Sequence, residues 1–118
     1  MRVKVNIPCL LLLPWTIFKA AADAPDFNRD IRPILSENCF HCHGPDKEAR
    51  EGSLRLDTFK GATEGGEFAD PIIPGKPEES EVITRIRSTD PDEIMPPPDS
   101  KRSLTGKQKK LLHDWVAS

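Results

Sequence analysis

The densest chemistry in this chain lies in the run Cys39-Phe40-His41-Cys42-His43. Two thiols three positions apart, followed at once by an imidazole, form the C-x-x-C-H arrangement by which c-type haem is attached. The spacing has a physical reason. Thiols that close together at the end of a helix can each reach one vinyl side of a single porphyrin and form thioethers, while the next residue points its imidazole at the iron. The sequence therefore predicts one covalent haem c, with Cys39 and Cys42 as attachment sites and His43 as the proximal iron ligand. His41, caught between the thiols, is read as a surface residue turned away from the iron.

Three other uses of the cysteines are weaker. A disulfide-exchange pair expects a surrounding βαβ pattern, and none is present. A structural zinc site usually takes two pairs of ligands, yet from residue 23 onward the chain offers, outside this cluster, no further Cys and only His113. The third is a plain disulfide formed after export.

A second axial ligand is sought on the far side of the ring. Once the N-terminal segment is removed, Met95 is the only methionine, fifty-six positions after Cys39 and on the proline-stiffened run Met95-Pro96-Pro97-Pro98. That run is expected to be extended and stiff. Met/His ligation fills both axial sites and raises the reduction potential. His113 is the rival, but it lies beside Leu112 and two before Trp115, which marks it as a helix-boundary residue.

The elements that must position these groups are short. Phe27, Ile31, Ile34 and Leu35 recur at helical spacing and predict a first helix within Asp26 to Asn38, its regular part starting near Asn28 or Asp30 so that Pro33 falls in the first turn. This helix runs straight into Cys39, so Ile34 and Leu35 are expected at the haem edge. From Gly44 to Gly75 glycine and proline punctuate every few residues, predicting a long ordered loop wrapped around the cofactor, with at most a short extended piece at Ser53–Asp57. Pro77, Glu78 and Glu79 open a second predicted helix that buries Val82, Ile83 and Ile86 and stops near Arg87 or Ser88. Thr105 with Gln108 three residues on is a capping-box signal for a last helix burying Leu111, Leu112, Trp115 and Val116. The expected fold is mostly α, with three to four short helices and long loops around a covalent haem.

Composition agrees with a small domain that needs a cofactor to complete its core. Only 36% of the 118 residues are hydrophobic, 31% are charged and twelve are proline. A domain this small leans on a disulfide, a metal or a cofactor. Arg2 and Lys4 precede an apolar run from Ile7 to Phe18 that ends in Ala20-Ala21-Ala22, so residues 1–22 read as a signal peptide and 23–118 as the mature domain. The run is too short, and too interrupted by Pro8 and Pro14, to span a bilayer. Export to the periplasm or an equivalent space follows. With Arg2, Lys4 and Lys19 removed, fourteen basic residues face nineteen acidic ones, which opposes nucleic-acid binding. Lys107, Lys109 and Lys110 read as the solvated face of the last helix.

Beyond the haem motif, the blocks Asp30-Ile31-Arg32-Pro33-Ile34-Leu35-Ser36, Cys42-His43-Gly44-Pro45-Asp46, Leu54-Arg55-Leu56-Asp57, Pro74-Gly75-Lys76-Pro77-Glu78-Glu79-Ser80 and Met95-Pro96-Pro97-Pro98, together with Phe27 and Cys39-Phe40, resemble the planctomycete-type cytochrome c domain. The likeness covers nearly the whole of 23–118. It implies a cytochrome c fold with Cys39 and Cys42 as attachment sites, His43 as proximal ligand and Met95 as distal ligand. In that family the domain commonly opens a much longer polypeptide, so 23–118 is expected to serve as an N-terminal module of a larger protein.

The leading functional expectation is single-electron transfer to redox protein partners outside the cytoplasm, without catalytic residues. The alternative is a ligand sensor or peroxidase-like enzyme with an open distal face. That face would need an acid/base and a charge stabiliser, and beyond His113 no His or Arg is evidently placed for either. A third reading makes the haem domain structural, a docking platform for a C-terminal region.

Overall fold

Asp26 opens the first helical segment: its carboxylate accepts from the Arg29 amide at 2.7 Å, while its own amide donates to Asp30 at 2.9 Å. In this computed structural model, which describes residues 23–67 and 70–118, that cap begins a π-helical turn at Phe27–Ile31 that passes directly into α1, Arg32–Asn38. The regular helix thus starts slightly later than its periodicity suggests. Pro33 sits in its first turn, where its missing amide hydrogen costs nothing. Residues 1–22, read above as a signal peptide, lie outside the described residues.

The stretch after Gly44 is loop, with one helix that the glycine punctuation hides. Thr58 accepts from the Gly61 amide at 3.1 Å and starts α2, Phe59–Glu64, of which only Ala62 is buried. Ser53–Asp57 is not a strand: Ser53 lies in a turn, Leu54 and Arg55 are irregular, Leu56 and Asp57 lie in a bend, and Leu56 is buried in the core. Among the described residues there is no strand at all.

The helix expected from Pro77 to Arg87 divides in two. Pro77–Glu79 is a 3-10 turn and α3 spans Glu81–Arg87. Ser80 separates them with extended backbone angles because its hydroxyl is committed to the loop before it. That hydroxyl accepts from the Ile73 amide at 2.8 Å and donates to the Lys76 carbonyl at 2.8 Å, and the residue is fully buried. A continuous helix would break both bonds inside the protein. After α3 the chain runs through Met95 to a second 3-10 turn, Pro98–Ser100, so the proline segment curls at its end instead of staying extended.

The last helix, α4, covers Gly106–Ala117 with both halves of its capping box formed between Thr105 and Gln108. It buries Leu112 and Val116 and half-buries Leu111 and Trp115, whose ring lies 5.6 Å from that of Phe27. Gly75, with φ of 78°, donates from its amide to the Val116 carbonyl at 2.7 Å and so satisfies one of the free carbonyls at the end of α4.

The resulting core is thin and aliphatic: Ile31, Ile34 and Leu35 meet Ile83 and Ile86 of α3 and Leu112 and Val116 of α4, with Leu56, Ala62 and Ile72 filling one side. Each large residue therefore carries a large share of the stability. Leu112→Ala should cost about 3 kcal/mol through the cavity it leaves, whereas Thr105→Ala should cost about 1 kcal/mol by removing a cap. Urea unfolding of the two variants measures both; near-equal losses would contradict this division of labour.

Candidate functional site

The C-x-x-C-H run is the turn that ends α1. The Cys39 amide still donates to the Leu35 carbonyl, and the His43 amide donates to the Cys39 carbonyl at 2.8 Å, so the backbone winds once more before turning away. Gly44 follows, buried, with its Cα pressed against Phe40: a Cβ at this position would run into the Phe40 carbonyl. Glycine is required there by close approach, not by an unusual φ. Arg50 then fastens the turn from outside, donating to the Gly44 carbonyl through Nε and Nη2 and to the Pro45 carbonyl through Nη2.

Residues 51–56 strap the motif from the other side. The Glu51 amide donates to the Cys42 carbonyl at 2.8 Å and the Leu56 amide to the His43 carbonyl at 2.8 Å. Between them, the Glu51 carbonyl lies 3.2 Å from His43 Nδ1. With Nδ1 donating its proton to that carbonyl, the lone pair of the neutral ring is on Nε2, which is the arrangement metal-binding histidines use. Burial lowers the His43 pKa from its ordinary value, against a smaller opposing pull from the Glu51 carbonyl, so the imidazole is favoured in the neutral form that can ligate.

Across from this turn stands Met95. Its amide donates to the Arg85 carbonyl at 3.1 Å, which ties the methionine to the end of α3. Arg85 is itself held by Glu81, with Nε to Oε1 at 2.7 Å. Cys39, Cys42, His43 and Met95 all line one cavity of about 370 Å³. Its apolar wall is made by Leu54, Leu56, Val82, Ile86 and the prolines Pro71, Pro96 and Pro97. Two thiols, an imidazole with a free Nε2 and a thioether around an apolar space make a donor set that fits a haem.

Other expectations meet different outcomes. Ile34 and Leu35 are in the aliphatic core and do not line the cavity; the wall they were expected to supply comes from the 54–56 loop and α3. His41 is exposed at the cavity mouth. His113 is elsewhere, its Nε2 3.0 Å from Glu78 and its Nδ1 3.2 Å from Asp114, where it links α4 to the Pro77–Glu79 turn. Arg85 and Arg102 line the cavity, although sequence reading placed no arginine there. Their distance from the motif along the chain hides them, as does the 51–56 strap, whose contact with His43 is made by backbone and carries no side-chain signature. No three His, Cys, Asp or Glu side chains among the described residues gather to hold a metal ion.

A second cavity of about 430 Å³ lies between Phe27, Phe59, Ile72 and Trp115 and shares only Leu56 with the first. It carries no thiol, imidazole or thioether. Among the described residues no helix is long and apolar enough to cross a membrane.

Burial and the neighbouring Cys42 push the Cys39 thiol up to about 11. In the haem-free chain at pH 8, Cys39 should therefore react with iodoacetamide on the order of a hundredfold more slowly than a thiol in an open peptide. Pulsed alkylation read by mass spectrometry checks this, and peptide-like rates at Cys39 would count against the burial.

Residues 39–99, just over half of the chain, match the family model described as planctomycete cytochrome C. No curated protein and no solved structure matches.

Proposed function

The chain belongs to the planctomycete cytochrome C family, whose domain binds haem and transfers electrons, and from that premise we propose that it is a single-haem electron carrier working outside the cytoplasm. Cys39 and Cys42 would hold the porphyrin through thioethers, and His43 Nε2 and Met95 Sδ would ligate the iron. The observation that carries this reading is that one cavity gathers all four side chains while the rival ligand His113 is engaged by Glu78 and Asp114.

When bound, the haem supplies an iron that cycles between ferrous and ferric states. The chain's own residues do the rest. The Glu51 carbonyl orients His43 and keeps its tautomer, which also makes the imidazole a better donor. The bond from Met95 to Arg85, with Arg85 fixed by Glu81, holds the thioether in place, and a thioether favours the ferrous state. Leu54, Leu56, Val82 and Ile86 give the cavity an apolar wall that would keep water from a bound haem and so lower the reorganisation that accompanies electron transfer. With His43 and Met95 both engaged by the iron, the site would offer no open position to peroxide or a diatomic gas, and on that ground the carrier reading is preferred over a sensor or a peroxidase-like enzyme.

Export rests on residues 1–22 as a signal peptide, cleaved after Ala22, and places the domain in the periplasm or an equivalent space, where thioether attachment takes place. Its partners are redox proteins.

Expression with a c-type maturation system should yield a chain that begins at Asp23 and carries one haem by mass, and Cys39→Ala with Cys42→Ala should abolish the covalent addition. Met95→Ala should lower the reduction potential and open the iron to rapid carbon monoxide binding, with His113→Ala close to wild type in both. A wild-type protein that already binds carbon monoxide rapidly would favour the ligand-sensor reading.

A further inference from the structure

Two arginines stand on the wall of the cavity that carries Cys39, His43 and Met95, and they are not equivalent. Arg85 is committed: its Nε donates to Glu81 at 2.7 Å and its Nη1 to the Glu93 carbonyl at 3.4 Å. Arg102 pairs with no carboxylate among the described residues. Among those residues its single side-chain bond runs from Nε to the Glu37 carbonyl at 3.1 Å, and its two terminal nitrogens find no hydrogen-bond partner.

The way Arg102 is mounted sets its use. Glu37 lies in the last turn of α1, where carbonyls lack a partner within the helix, so the Nε bond caps the helix and immobilises the guanidinium plane. On its other side the residue is fixed to the Met95 segment: the Arg102 amide donates to the Ser100 hydroxyl at 3.2 Å, and that hydroxyl donates to the Pro97 carbonyl at 2.7 Å. Lys101, in the left-handed region with φ of 56°, supplies the turn that brings Arg102 round. The outcome is a half-buried, pre-positioned cation with two spare donors beside an apolar space. A guanidinium in that state matches a planar carboxylate, which it can bind through two parallel hydrogen bonds.

We propose that Arg102 is the carboxylate-recognising residue of this cavity and that its terminal nitrogens bind a propionate side chain of the haem. The proposal rests on the reading of the cavity as a haem site and adds what orients the group within it. Glu51, Glu67 and Glu81 line the same cavity, with Glu81 already paired with Arg85, so among the described residues Arg102 is the one cation of that wall left to receive an anion. Its positive charge near the ring also favours the ferrous over the ferric state.

The test compares holoprotein of the wild type, Arg102→Lys and Arg102→Gln by potentiometric titration, by the propionate bending mode in resonance Raman spectra and by thermal melting. Both variants lose the bond to Glu37 and should melt earlier, which a purely structural role also predicts. The discriminating readouts are the other two. Arg102→Gln should shift the potential to lower values and move the propionate mode. Arg102→Lys, keeping the charge without the fork, should hold the potential near wild type while still moving the mode. A mode unmoved in Arg102→Lys would overturn the proposal, even if Arg102→Gln fails to accumulate holoprotein. A wild-type protein that takes up no haem would overturn the haem reading and this proposal together; a loaded wild type with an unmoved mode overturns this proposal alone.

Discussion

One carbonyl group organises the site. The Glu51 oxygen, 3.2 Å from His43 Nδ1, sets which imidazole nitrogen is free, and it is held in place by backbone bonds on both sides, Glu51 to Cys42 and Leu56 to His43. Those bonds tie the loop to the motif. The same loop then delivers Leu56 into the aliphatic core, so the packing of that core and the direction of the imidazole are mechanically linked. The buried Gly44, with no room for a side chain against Phe40, lets the turn close tightly enough for the strap to reach.

The core and the cavity divide the domain between them. Isoleucines, leucines and one valine from α1, α3 and α4 bury each other on one side, while the cavity opens between the motif and the segment from α3 to Met95. A core this thin supplies little stability by itself, and a large apolar group in the cavity adds contact area that the sequence lacks. Ion pairs add little to this, since Arg29–Asp30, Lys76–Glu79, Arg87–Glu78 and Lys110–Asp114 lie largely at the surface, where solvent screens them.

Features written in side-chain type and spacing were legible in the sequence: the Cys39-to-His43 run, the capping box at Thr105, the buried stripe of Leu112 and Val116, the helical class of the fold. Features made by backbone or by tertiary choice were not. α2 hides among glycines because only Ala62 of its six residues is buried, leaving no apolar period to detect. The break at Ser80 follows from a buried hydroxyl choosing the preceding loop over its own helix, a competition that local propensity does not resolve. Arg102 reaches back sixty-five positions to Glu37, a distance over which spacing says nothing. Met95 lies between these cases: its chemistry was readable, while its place on the cavity depends on the bond to Arg85.

On the proposed reading, His43 and Met95 of this cavity would ligate one haem iron. Near-infrared magnetic circular dichroism of the oxidised holoprotein tests it most directly, because sulfur-to-iron charge transfer separates histidine/methionine ligation from a bis-histidine or five-coordinate iron. A low-spin ferric haem with the histidine/methionine band is the expected result. A bis-histidine band, or a high-spin iron lacking a sulfur ligand, would contradict it.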